Sequence, residues 1–100
     1  VTSQAQQASR RQERQVAKIL DGTRNAGSGN QWLHPNDIRN ERFSVECKTT
    51  SKKSYSLTAA TLKKAETNAL LEGRDMVLVI EIEGRNWAVV DLAVLEALTG

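Results

Sequence analysis

The sequence predicts an α/β domain, a mixed sheet of about four or five strands flanked by helices. Three observations carry this. Segments with helical spacing alternate with segments of strand character, in the order helix, strands, helix, strands, helix. Residues 76–82, Met-Val-Leu-Val-Ile-Glu-Ile, are the most apolar run in the chain, as a central strand requires. Two stretches, 37–49 and 76–91, each hold a turn between extended runs and read as hairpins. A length of 100 residues bounds this to a single domain, 1–100.

Residues 3–20 read as the first helix, with Ser3 as N-cap. Glu13, Val16, Ala17 and Leu20 fall at i, i+3, i+4 and i+7 and share one face, which should meet the protein. Asp21-Gly22 ends the helix, glycine being the usual residue just past a C-terminus. Residues 22–36 form a loop or hairpin rich in Gly and Asn. Asp37-Ile38-Arg39 reads as a short strand that turns at Asn40-Glu41 into a strand over Phe43–Thr49. Lys52-Lys53 mark a loop, and Tyr55-Ser56-Leu57 a short extension. Thr58 caps a second helix, Ala59–Leu71, with Leu62, Ala65, Ala69 and Leu70 as its buried stripe and Gly73 closing it. Glu83-Gly84 turns the strand at 76–82 into a partner at 87–91, and a last helix covers about 92–98.

Composition excludes several classes. No apolar run approaches the roughly 18 residues of a membrane span, so no membrane partner is expected. The Gln- and Arg-rich N-terminus lacks the apolar core of a signal peptide. One Cys excludes an internal disulfide and fits a reducing compartment, so a cytoplasmic site is expected. One His and one Cys argue against a structural zinc site. The run Asn25-Ala-Gly-Ser-Gly-Asn30 is not followed by Gly-Lys-Ser/Thr, which excludes a P-loop.

Charge is unevenly spread. Residues 1–53 hold ten Lys/Arg against five acids, and residues 54–100 hold four against seven. A basic N-terminal half suits a polyanion docking on one side; a solvated surface is the plain alternative. Arg10, Arg11, Arg14, Arg24, Lys52 and Lys53 are candidate phosphate contacts, positioning DNA without reading its sequence. Tyr55 is a DNA-contact candidate or a sheet-edge aromatic. Trp32 either stacks on a base or packs on the hairpin, and His34 is either a general base or a surface residue. Lys63 and Lys64 are weaker candidates.

The chemistry centres on Phe43–Thr49. Side chains on a strand alternate between faces, so Phe43, Val45 and Cys47 share one face and Ser44, Glu46 and Lys48 the other. Cys47 therefore reads as core packing, and Glu46 and Lys48 as functional. Asp37, nine residues before Glu46, lies across the hairpin. Glu13 either completes an acidic cluster from the helix or pairs with a nearby Arg. Hydrolysis of a phosphodiester needs an activated water and stabilisation of a crowded anion. Mg²⁺ supplies both and prefers carboxylate oxygens, and Mn²⁺ can replace it. Glu13, Asp37 and Glu46 are the candidate metal ligands. Lys48 would orient water or meet developing charge.

The set Glu13 … Gly27-Ser28-Gly29 … Asp37-Ile38 … Glu46-Cys47-Lys48-Thr49 … Tyr55-Ser56 resembles the PD-(D/E)XK nucleases, most of all the small Holliday junction resolvases of archaea and their phage-borne relatives. The resemblance spans about Glu13 to Tyr55. It implies a restriction-endonuclease-like fold, one- or two-metal Mg²⁺ hydrolysis, and a homodimer cutting symmetry-related strands of a four-way junction. By position it makes Glu13, Asp37 and Glu46 metal ligands, Lys48 the catalytic lysine, and Ser28 a contact near the scissile DNA. In the family the first acid commonly follows Pro or Gly directly, whereas here Asn36 separates Pro35 from Asp37. The remaining readings are a nuclease for flap, nicked or duplex DNA, a non-catalytic nucleic-acid-binding module on the same fold, and an interaction protein that pairs through its first helix.

Overall fold

The computed structural model of the chain describes residues 3–25 and 35–100. Ser28, Trp32 and His34 lie outside the described residues. Helix α1 (Gln4–Ile19) starts in a capping box: the Ser3 hydroxyl accepts the Gln6 N–H, and the Gln6 side chain accepts the Ser3 N–H. The chain then forms β1 (Thr23–Arg24), β2 (Ile38–Arg39), β3 (Phe43–Thr49), α2 (Ala59–Leu71), β4 (Asp75–Ile82), β5 (Arg85–Val89) and α3 (Leu92–Thr99).

The five strands make one mixed sheet in sequence order. β3 and β4 are parallel and joined by α2; every other neighbouring pair is antiparallel. A parallel pair needs a crossover, and α2 supplies it on one face of the sheet. α1 covers the opposite face.

Alternation along the two central strands divides the core in two. Val16, Ile38, Val45, Val77 and Val79 pack under α1, with Phe43 and Cys47 beside them. Ala65, Ala69, Met76, Leu78 and Ile80 pack under α2, with Tyr55, Leu57 and Leu62 beside them. β4 contributes to both, which is why it reads as a continuous apolar run.

Three sequence expectations need correction, and one open alternative is resolved. Leu70 does not belong to the α2 stripe and is 70% exposed. It follows Ala69 by about 100° around the helix, away from the face that buries Ala65 and Ala69. Of loop or hairpin over 22–36, the hairpin holds at Thr23–Arg24, a strand paired antiparallel with β2. Two residues are too few for periodicity to register. The Tyr55–Leu57 extension is not a strand; its side chains dock on the α2 core. At the end of α1 the left-handed residue is Asp21, with φ 51°, not Gly22. Gly22 instead allows close approach, since a Cβ there would meet Ile38 Cγ2 at 2.7 Å and Arg39 O at 3.0 Å. The Glu83-Gly84 turn is as expected, with both residues at positive φ.

Candidate functional site

The site is built where β3 outruns its neighbour. β2 pairs only Ile38 with Val45 and Arg39 with Ser44. Among the described residues, that edge of β3 has no strand ladder beyond Val45, and Asp37 takes the place of one. Its Oδ2 accepts the Cys47 N–H at 2.8 Å. The antiparallel register, continued one step from Ile38 and Val45, sets Asp37 beside Glu46. β3 pairs β4 along its full length, so Glu46 and Lys48 are carried on a rigid central strand. Lys48 Nζ lies 3.4 Å from Glu46 Oε2, with the side chains 36% and 20% exposed.

The electrostatics of this corner are unbalanced. Burial first, then the Asp37 carboxylate and its hydrogen bond, push the Glu46 carboxyl up to about 7; the Lys48 ammonium offsets only part of this. Glu13 reaches toward the same place from α1. Burial and then Asp37 raise its pKa, against the pull of Arg24 and Arg10. Burial, followed by Asp37, Glu13 and Glu46, drives the Cys47 thiol far above its ordinary range. One thiol thus senses all three acids. Cys47 itself packs against the α1 core, as the alternation predicts.

The three acids do not form one closed cluster. Among the described residues, no group of three or more His, Cys, Asp and Glu side chains is placed to hold a metal ion. Glu13 is 3.5 Å from Arg24 in an ion pair. Asp37 and Glu46 form the tight pair. The corner therefore has two facing carboxylates, a third acid drawn aside by Arg24, and one ammonium. Such an arrangement lacks positive charge and can accept a cation or, with Glu46 protonated, a proton donor's role.

The other singled-out residues scatter. Arg10 and Arg14 are exposed on α1, and Lys52 and Lys53 are exposed in the bend after β3. Arg11 makes a two-bond ion pair with Glu81, at 2.6 and 3.0 Å. Chiefly through that hydrogen bond, Arg11 holds the Glu81 carboxyl below the usual range, with Thr49 adding a further bond. Tyr55 is half-buried against the α2 core. A cleft of about 770 Å³ lies between the start of α1, residues 49–51 and the β4–β5 turn; Arg11 and Glu81 line it, and the three acids do not.

Sequence reasoning missed several buried polar groups. Gln12 is fully buried and its Nε2 bonds the Lys48 carbonyl at 2.8 Å, with Val79 O and Asn86 Oδ1 near by. Its position four residues before Val16 was the available signal. Asn36 is also fully buried, joined to Ser44, Ala65 and Asn68. Ser44 in turn donates to Glu72 at 2.9 Å. No local spacing announces contacts so far apart in sequence.

No family model matches the chain, and no curated protein matches it. Among solved structures it is similar to Hjc of Archaeoglobus fulgidus, a Holliday junction resolvase from an archaeal hyperthermophile. The TM-score is 0.60 at 20% identity, over 82% of this chain and 86% of that one. The likeness is one of fold: a five-stranded mixed sheet with helices on both faces.

Proposed function

We propose that the chain is a Mg²⁺-dependent DNA endonuclease that acts on branched DNA, a four-way junction resolvase working as a homodimer. The observation that carries this is the Asp37–Glu46 pair with Lys48 beside it, where β3 runs past β2 in a sheet whose fold is similar to that of a resolvase. The donor chemistry suits a divalent cation: carboxylate oxygens only, two of them close together, and a Glu46 carboxyl raised by burial first and by Asp37 next. Asp37 and Glu46 would hold the ion, with Glu13 joining them on release from Arg24. When bound, Mg²⁺ or Mn²⁺ supplies Lewis acidity and an activated water.

The chain's own groups divide the remaining work. Lys48 carries the ammonium that orients the attacking water or meets charge developing on the phosphate. Its contact with Glu46 fixes where that charge sits. Arg10, Arg14, Lys52 and Lys53 are exposed and offer phosphate contacts. Ser28, in the Gly-Ser-Gly segment, is proposed to contact the scissile region. The dimer reading is supported by apolar side chains left in solvent around one apolar cavity: Ile19, Leu95 and Leu98.

The test is an incubation with labelled four-way junction, linear duplex and single strand, in Mg²⁺ and in EDTA. Selective cutting of the junction in Mg²⁺ alone is expected. Glu46→Ala and Lys48→Ala should each lower cleavage by about 100-fold or more, while binding of the junction persists. Cleavage that continues in excess chelator, or both variants cutting at the wild-type rate, would overturn the reading. Salt-sensitive binding with no cutting in any divalent metal would assign the chain to a binding module instead.

A further inference from the structure

We infer that Asn36, the residue inserted between Pro35 and Asp37, is a positioning residue that sets the separation of the Asp37 and Glu46 carboxylates. The inference rests on the reading of those two acids given above. The Asp37 carboxylate is tied to β3 by the Cys47 N–H, but among the described residues no ladder pairing fixes its backbone against that strand. β2 is two residues long and begins only at Ile38, so the sheet ladder stops just after Asp37. A two-residue strand gives few ladder bonds and opens readily, yet the proposed site needs this carboxylate fixed to within a fraction of an ångström.

The Asn36 side chain supplies the missing support. It is 0% exposed. Its Nδ2 donates to Ser44 Oγ and to the Ala65 carbonyl, both at 2.9 Å, and its Oδ1 accepts from Asn68 Nδ2 at 3.3 Å. Both amide N–H groups and the amide oxygen are thus in use. The backbone is clamped as well. The Asn36 carbonyl accepts from the Asn25 side chain, and the Asp37 carbonyl accepts the Asn25 N–H at 2.8 Å. One side chain therefore ties the Asp37 segment to β3 and to the main chain of α2.

The bond to Ser44 sets the spacing. Ser44 lies two residues before Glu46 and on the same face of β3. Asn36 lies immediately before Asp37. The contact between the two thus joins the backbones that carry the two acids, one residue and two residues from the carboxylates. Truncating Asn36 leaves Ser44 Oγ and Ala65 O without that donor, and loosens the Asp37 backbone relative to Glu46, leaving the Cys47 N–H as the side chain's tie to β3.

The experiment measures Mn²⁺ binding directly, by the loss of the free-ion electron spin resonance signal, on the full chain at a temperature well below each variant's melting point. Asp37→Asn and Glu46→Gln are run in parallel. Asn36→Ala is expected to weaken Mn²⁺ binding by about 10-fold, the scale on which groups supporting a metal ligand act. In cleavage assays it should raise the half-saturating Mg²⁺ concentration and leave the rate at saturating Mg²⁺ within about threefold, since the acids themselves remain. A role in folding alone would lower the melting temperature and leave Mn²⁺ affinity of the folded protein unchanged; that result overturns the inference. Ser44→Ala removes one partner and keeps the amide. It should weaken binding by a smaller factor, and it decides the matter if Asn36→Ala does not fold: unchanged affinity in a folded Ser44→Ala overturns the inference. Should Asp37→Asn and Glu46→Gln bind Mn²⁺ like the wild type, the metal reading fails and this inference with it. Loss in those two variants with none in Asn36→Ala and Ser44→Ala removes only the role of Asn36.

Discussion

Glu46 is the residue on which the electrostatics of the corner converge. Its carboxyl titrates near 7 rather than at the ordinary 4.5, with burial the main cause and Asp37 the next. Between those two values the folded chain holds a proton that the unfolded chain has lost. Stability from this group is therefore fully present below about pH 4.5 and falls as pH rises through 7. The scale is roughly 3 kcal/mol, from about 1.4 kcal/mol for each pH unit. In chelator, denaturant melts at pH 5 and pH 8 should show that loss, and Glu46→Gln should remove most of it. Mg²⁺ at pH 8 should restore stability to the wild type and not to the variant. Equal pH slopes in the two proteins would show that Glu46 is not the strained group. Cys47 offers a second check at this scale. Burial first, and then three carboxylates, keep its thiol protonated, and the thiolate is the reactive form. Thiol reagents at pH 8 should therefore modify native Cys47 at least about tenfold more slowly than the unfolded chain. Labelling at the unfolded rate would mean that the acids do not surround it.

Elements were legible in the sequence where one periodicity ran for several turns or strand repeats. α1, α2, β3, β4 and the Glu83-Gly84 turn all announce themselves this way. The division of β3 into a packing face and a Glu46/Lys48 face came from alternation alone. What stayed hidden lies in short or long-range features. β1 has two residues and no pattern. The buried amides of Gln12 and Asn36 are explained largely by partners 29 or more residues away, which no window on the chain contains; only the bond from Asn36 to Ser44 is shorter in sequence. The end of α1 was legible in place and not in cause. Gly22 is needed because β2 passes against it, with no room for a Cβ between it and Ile38. Gly22→Ala should then cost about 1–3 kcal/mol by overpacking and, by pushing on Ile38, disturb Asp37 next to it. Asp21→Gly, one residue earlier, should be neutral or slightly stabilising, because it relieves a left-handed non-glycine residue. Chemical denaturation of the pair distinguishes the two causes: if both substitutions destabilise, the glycine acts through local backbone freedom rather than through space for β2.

At the scale of the molecule the unexplained feature is α3. It is largely apolar, yet none of its described residues is buried. Leu92, Leu95 and Leu98 recur at i, i+3 and i+6 and stay exposed. Leu95 and Leu98 form one wall of an apolar cavity of about 490 Å³, with Val16, Ile19, Leu20 and Phe43 opposite. An eight-residue helix is marginal in water by itself, so something must repay its apolar face. A second copy related by a two-fold axis would bring two such faces together without opposing like charges, since the lining is almost wholly apolar. It would also give the two active centres that paired cutting of a junction demands. Sedimentation of the wild type at micromolar concentration should then give a dimer. Leu95→Glu with Leu98→Glu should give a monomer that still folds, because neither side chain belongs to the buried core. On a labelled four-way junction the monomer should nick one strand and fail to make the second, symmetry-related cut within the lifetime of the complex. A wild type that sediments as a monomer at tens of micromolar would remove the dimer from the proposal. A monomeric variant that still cuts both strands together would show that pairing of the cuts does not depend on this face.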